Sequence, residues 1–161
     1  MSEPFKSRVV ALIPSLRGYA MSLTRSQEAA DALVEAALKA AWSGRDEAGA
    51  NGDMQTWLLG LIRAEHLRRG GEAGPAEPAE GSGPAREWRA RYGEMLQALD
   101  RLGPTARDAL LLVAASGVGY EEAGQILGVS GEAMRGRVRR ARTVLTDLVQ
   151  TDANPHDTAP R

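Results

Sequence analysis

Five arginines crowd between positions 135 and 142: Arg135, Arg137, Arg139, Arg140 and Arg142. A guanidinium is permanently charged and forked, which suits it to a phosphate or to the edge of a guanine. The apolar residues threaded among them are Met134, Val138, Ala141, Leu145 and Leu148. Their spacing alternates four and three, which predicts a helix with one buried stripe. At about 100° per residue, Arg135, Arg139 and Arg142 fall on one flank of that stripe, and Arg137 and Arg140 on the other. Ser130 stands just ahead of the helix, where its hydroxyl can accept an unpaired N–H of the first turn. A helix N-terminus also draws phosphate, and only Glu132 opposes the positive charge there. Upstream, Tyr120 to Leu127 reads as a short helix with Ala123, Ile126 and Leu127 on one face, and Gly128-Val129-Ser130 forms the turn. The outline is a helix-turn-helix whose second helix is built to approach DNA.

Composition limits what else the chain does. It has 161 residues and a net charge of −1, so affinity for DNA must come from local patches. It has no cysteine, which excludes disulfides, thiol catalysis and cysteine-bound zinc and fits a reducing cytoplasm. No signal peptide and no run of about 20 apolar residues is visible, so no membrane partner is expected. His66 and His156 are far apart and lack metal-ligand spacing; His66 is expected on a helix surface. Ser116 and Ser130 have no His or Asp pattern around them, so hydrolase chemistry is not expected. No metal, cofactor or catalytic residue is predicted. Trp42, Trp57 and Trp88 each fall on an apolar stripe and are read as core anchors.

The elements that must position the arginines are all helical. Alanine and leucine are abundant and β-branched residues few, so the fold class is all-α: two small helical domains joined by a flexible linker. Phe5 to Leu23, Gln27 to Trp42 and Met54 to Arg69 carry helical periodicity, with irregularity expected near Pro14 and a loop over Ser43 to Asp53. These make a first domain over 1–70. Residues 71–84, in a stretch reading GGEAGPAEPAEGSG, have no apolar period and are expected to form the linker. The second domain, 85–150, opens with a helix over Glu87 to Leu102. Gly103-Pro104 then stops that helix and starts the next, which runs to Ser116 ahead of the helix-turn-helix. The polar end, 151–161, is expected to be disordered.

The chain resembles the extracytoplasmic-function class of RNA polymerase sigma factors. In the second domain the likeness rests on Leu99 to Leu102, Pro104, residues 107–113, Gly119 to Ala123, Ile126 to Gly128, and Arg137 to Arg142. The segment 115–123 is similar to the general-stress-response subgroup. In the first domain it rests on residues 16–20, 23–24, 31–34, 41–42 and 57–63. The resemblance implies a non-enzymatic subunit of core RNA polymerase. Its first domain would bind the polymerase clamp and open the −10 promoter element, and its second would bind the −35 element. An anti-sigma protein would hold it inactive. Asp31 matches one clamp-facing acid, Ala32 stands where the family has the other, and Glu35, where the family usually has glutamine, makes an exposed acidic pair with Asp31 one turn away. Arg63, Arg68 and Arg69 match the first domain's DNA-facing bases. Ala64 stands where the family has Asn, Glu132-Ala133 where it has Gly-Thr, and Gly136 where it has Ser. Because these departures fall on binding faces, a second reading stays open: a sigma-like decoy that binds an anti-sigma protein without initiating transcription. The arginine cluster favours the initiator, since a decoy has no need of it.

Overall fold

A computed structural model describes residues 3–44, 53–71, 74 and 84–153. Seven α-helices account for nearly all of them: α1 Glu3–Thr24, α2 Gln27–Ser43, α3 Met54–Arg68, α4 Pro84–Arg101, α5 Pro104–Ser116, α6 Tyr120–Leu127 and α7 Gly131–Ala153. The all-α expectation holds, and local chemistry explains most of the boundaries. Ser26 caps α2 by accepting the Ala29 N–H at 3.4 Å, and Asp53 caps α3 by accepting the Thr56 N–H at 3.1 Å. Pro104 starts α5, and Gly117 ends it with φ 74°, a left-handed conformation that glycine adopts without strain. Pro14 lies inside an uninterrupted α1.

Helices α1, α2 and α3 pack mutually around Leu16, Tyr19, Leu33, Leu58, Leu59 and Ile62. Helix α7 is the axis of the second group: α4, α5 and α6 all pack on it, over Leu112, Met134, Val138 and Ala141. The two groups also touch, α1 lying on α5 and α3 on α6, so that the buried residues form one continuous cluster.

Several expectations are corrected. His66 is buried rather than on the surface, because α3 has neighbours on more than one side. Trp42 is 43% exposed and meets Phe5 edge-on at 6.4 Å, so it is a lid on the bundle rather than a core anchor. Leu67 and Met95, which share helical spacing with the apolar residues of α3 and α4 and would be expected inward, are exposed. Trp57 is half-buried, and the side chain of Trp88 lies outside the described residues. The helix carrying the arginines continues through Ala153, so the polar end does not begin at 151; residues 154–161 lie outside the described residues. Of the linker, Gly74 donates its N–H to the Thr24 carbonyl at 3.2 Å and Pro84 already belongs to α4. Residues 72–73 and 75–83 lie outside the described residues.

Candidate nucleic-acid interface

The turn between α6 and α7 is held by two glycines. Gly128 ends α6 with φ 68°. Gly124 is buried, and a Cβ there would stand 2.6 Å from the Val129 carbonyl oxygen, so the turn backbone crosses α6 where no side chain fits. Ser130 then caps α7 by accepting the Ala133 N–H at 3.1 Å, as its position predicts. The apolar stripe of α7 is buried at Met134, Val138 and Ala141 and half-buried at Leu145 and Leu148.

With that stripe fixed inward, the arginines face out. Arg135, Arg139, Arg140 and Arg142 are exposed and Arg137 is half-buried. Arg135, Arg139 and Arg142 line one shallow hollow together with Tyr120, as the flank assignment predicts. Arg135, Arg137, Arg139 and Arg140 line a second, around Ser130 and Glu132. The two hollows share Arg135 and Arg139, so the positive surface is continuous across the first turns of α7. The Arg135 guanidinium sits 5.4 Å from the centre of the Tyr120 ring, a cation–π contact that holds it at the helix start. Gly136 leaves the surface open, since a Cβ there would meet only the Arg140 guanidinium, at 3.5 Å.

Sequence reasoning missed a second acid at this site. The Glu121 carboxylate occupies the place where a Cβ on Gly131 would go, which puts its charge against the first turn of α7. Glu121 and Glu132 together offset the helix-terminal pull on phosphate, leaving the guanidinium groups as the attractive feature. The only signal in the sequence was the pairing of an acid at 121 with a glycine at 131.

The first domain's candidate site residues are engaged with the chain itself. Arg63 pairs with Asp108 of α5 at 3.6 Å. Arg68 and Arg69 both clasp Glu65, at 2.6 and 2.8 Å, and the two bonds lower the Glu65 carboxyl to a pKa of about 2. Asp31 pairs with Arg17 at 2.8 Å and Glu35 with Lys39 at 2.6 Å, and the Lys39 bond lowers the Glu35 pKa. Asp31 and Glu35 are exposed, one turn apart on α2. The structure therefore brings Arg135, Arg137, Arg139, Arg140, Arg142 and Ser130 into one face and keeps Arg63, Arg68 and Arg69 on a different helix.

Comparison with known proteins gives this architecture a family. Residues 9–62 match the model described as the Sigma2 domain of PhyR, and residues 92–145 match Sigma-70, region 4. Over 98% of its length the chain is 32% identical to the ECF RNA polymerase sigma factor EcfG of Rhodopseudomonas palustris, covering 94% of that protein. The chain is an extracytoplasmic-function RNA polymerase sigma factor. The RNA polymerase sigma factor NccH of Alcaligenes xylosoxydans xylosoxydans is 33% identical over 75% of the chain and 73% of its own length. Two solved sigma factors superpose with a TM-score of 0.72. RpoE of Bartonella quintana, in complex with the anti-sigma factor NepR, is 29% identical and covers 93% of this chain and 99% of its own. CnrH, in complex with the cytosolic domain of CnrY, is 25% identical and covers 92% and 88%. In this sigma factor the α1–α3 bundle is region 2, and the helix-turn-helix of α6 and α7 belongs to region 4.

Proposed function

We propose that the chain directs core RNA polymerase to a defined set of promoters, region 4 reading the −35 element through α7 and region 2 opening the −10 element. The observation that carries this reading is the exposed guanidinium face of α7, mounted on a helix-turn-helix with Arg135 steadied by Tyr120. Arg135 reads a base edge, and Arg137, Arg139, Arg140 and Arg142 meet phosphates. Arg63, Arg68 and Arg69 supply basic contacts in region 2. Asp31 and Glu35 are the acidic contacts to the polymerase clamp.

Its place of action is the cytoplasm, where it is a transcription subunit and not an enzyme. No described helix is long and apolar enough to cross a membrane. An anti-sigma protein is its antagonist, as for the two superposed relatives solved with theirs, and the resemblance of residues 115–123 to the general-stress-response subgroup supports a role in stress response. The experiment is selection of promoter fragments from a random library by core polymerase loaded with this chain. Enrichment of a shared pair of elements about 25 base pairs apart, or about 85 Å along the duplex, is expected. Recovery of the same fragments as core polymerase alone would contradict the reading and favour the decoy.

A further inference from the structure

Two residues that set this recognition helix apart lie on its outermost ridge. At about 100° per residue, Glu132 and Gly136 fall about 150° and about 170° round α7 from the centre of the buried stripe of Met134, Val138 and Ala141. These are the positions that go deepest when such a helix enters a groove. Both line the hollow that Arg135, Arg139 and Arg140 share. At both, the chain departs from its family: glutamate stands for glycine at 132, and glycine for serine at 136. The two changes complement each other. One adds a carboxylate to the ridge, and the other, about 6 Å further along the axis, removes the side chain of the next turn. Glycine inside a helix lowers its propensity, and no packing requires it here, since a Cβ would meet only the end of the Arg140 side chain, at 3.5 Å. What the glycine does is leave Glu132 standing clear.

The ordinary uses of an acid at this place are already filled. Ser130 caps the helix through the Ala133 N–H at 3.1 Å. The Glu121 carboxylate lies against Gly131 and supplies negative charge to the first turn. Glu132 itself is exposed, and among the described residues its carboxylate makes no hydrogen bond or ion pair, although four arginines line the same hollow. Arg135, the nearest of them along the helix, is held over Tyr120 instead. An uncommitted carboxylate in that position repels phosphate and weakens binding to every sequence, unless a group in the groove donates to it. Cytosine presents such a donor, its N4 amino group. Thymine and guanine present oxygen acceptors that a carboxylate repels, and adenine sets the N7 acceptor beside its amino group.

We propose that Glu132 is a base-reading residue that selects a cytosine in the major groove of the −35 element, beside the guanine taken by Arg135. The inference rests on the sigma-factor reading above. Arg135 follows Glu132 by about 4.5 Å along the helix axis, close to the spacing of about 3.4 Å between successive bases of one strand. Acid and guanidinium therefore span about one base step: the carboxylate accepts from cytosine N4, and the guanidinium donates to guanine O6 and N7. The arginines supply affinity, and the glutamate supplies exclusion of the wrong base.

The test reads base preference with the full chain bound to core polymerase. The wild-type holoenzyme selects its element from a random promoter library, and Arg135→Ala marks the guanine by losing preference for it. Duplexes carrying that element and its single-pair variants are then titrated with wild-type, Glu132→Gln and Glu132→Gly holoenzymes. A cytosine should stand beside the marked guanine, and exchanging its pair for any other should weaken wild-type binding about tenfold. Glu132→Gly should flatten preference at that position, keep preference at the guanine, and bind the exchanged duplexes more tightly than wild type does. Glu132→Gln, which keeps the length of the side chain, should move the preference at that position to adenine, whose N6 and N7 an amide meets together; should the glycine chain fail to fold, the glutamine chain decides alone. If Glu132 only repelled phosphate, both variants would gain affinity for all four base pairs by one common factor. That result, or a Glu132→Gln chain with the wild-type preference, would overturn the proposal while leaving the sigma-factor reading in place. A wild-type holoenzyme that enriches no shared element would sink that reading and this proposal with it.

Discussion

Arg139 is the arginine whose removal should report most cleanly on the α7 face. It is exposed and lines both hollows, so no other group closes over its position. With Arg135 on a base edge, Arg137, Arg139, Arg140 and Arg142 are the phosphate contacts, which gives four released counterions. The dependence of log affinity on log salt should then have a slope of about −3.6, so that raising salt from about 50 to about 200 mM weakens binding about 150-fold. Arg139→Ala should reduce the slope to about −2.7 and the salt effect to about 40-fold. Preference among sequences should not change, because a phosphate contact carries no base information. Arg135→Ala should behave differently. Arg135 is held over Tyr120 at the helix start, and its loss should cost about 1–3 kcal/mol on one base pair and flatten discrimination there. The assay is anisotropy titration of the full chain against labelled duplexes at several salt concentrations. A wild-type slope near zero, or an Arg139→Ala slope equal to wild type, would refute the assignment of this face to DNA.

Three further outcomes are expected. Gly124→Val should destabilise the chain by about 1–3 kcal/mol through overpacking against the turn backbone, whereas Gly136→Ala, whose Cβ would make only an ordinary contact with the end of the Arg140 side chain, should stabilise it by up to about 1 kcal/mol; urea midpoints of the two variants decide whether they move in opposite directions. Asp31→Lys with Glu35→Lys should abolish capture of core polymerase on affinity beads while leaving helicity unchanged, because both residues are exposed and pair only with Arg17 and Lys39 in the described structure. His66 should make stability depend on pH: burial lowers its pKa below 6.5, so the folded chain favours the neutral ring. Its contribution is complete above the unfolded value and is lost as pH falls from there through the lowered folded value. Thermal midpoints measured down that window should fall, and the fall should shrink in His66→Leu.

The two helical modules were legible because each helix carries its own periodicity and most carry end signals: Ser26 and Asp53 as caps, Pro104 at a start, Gly117 and Gly128 at ends. On the recognition helix about 100° per residue placed Arg135, Arg139 and Arg142 together, as the structure does, but set Arg137 and Arg140 apart, whereas one hollow gathers both with Arg135 and Arg139. What escaped was whatever depends on a second surface. His66 and Leu59 are buried because α3 is covered on several sides, and a stripe of period 3.6 cannot report a second contact face. The seam between the regions escaped for a related reason. Its groups are Ser15, Gln55, Arg63, Asp108 and Ser116, ordinary surface types whose pairing is set by the fold and not by spacing. The placing of the Glu121 carboxylate against Gly131 is likewise set by the turn and not by spacing along α6.

The central claim is that the α7 arginine face steers RNA polymerase, and transcription reconstituted from purified components tests it most directly. Core polymerase with this chain should yield a transcript from a selected promoter, core alone should not, and Arg135→Ala/Arg139→Ala should lose the transcript while still binding core. A transcript from the double variant equal to wild type would show that initiation does not pass through this helix. No transcript from any chain, despite binding to an anti-sigma protein, would make it a decoy.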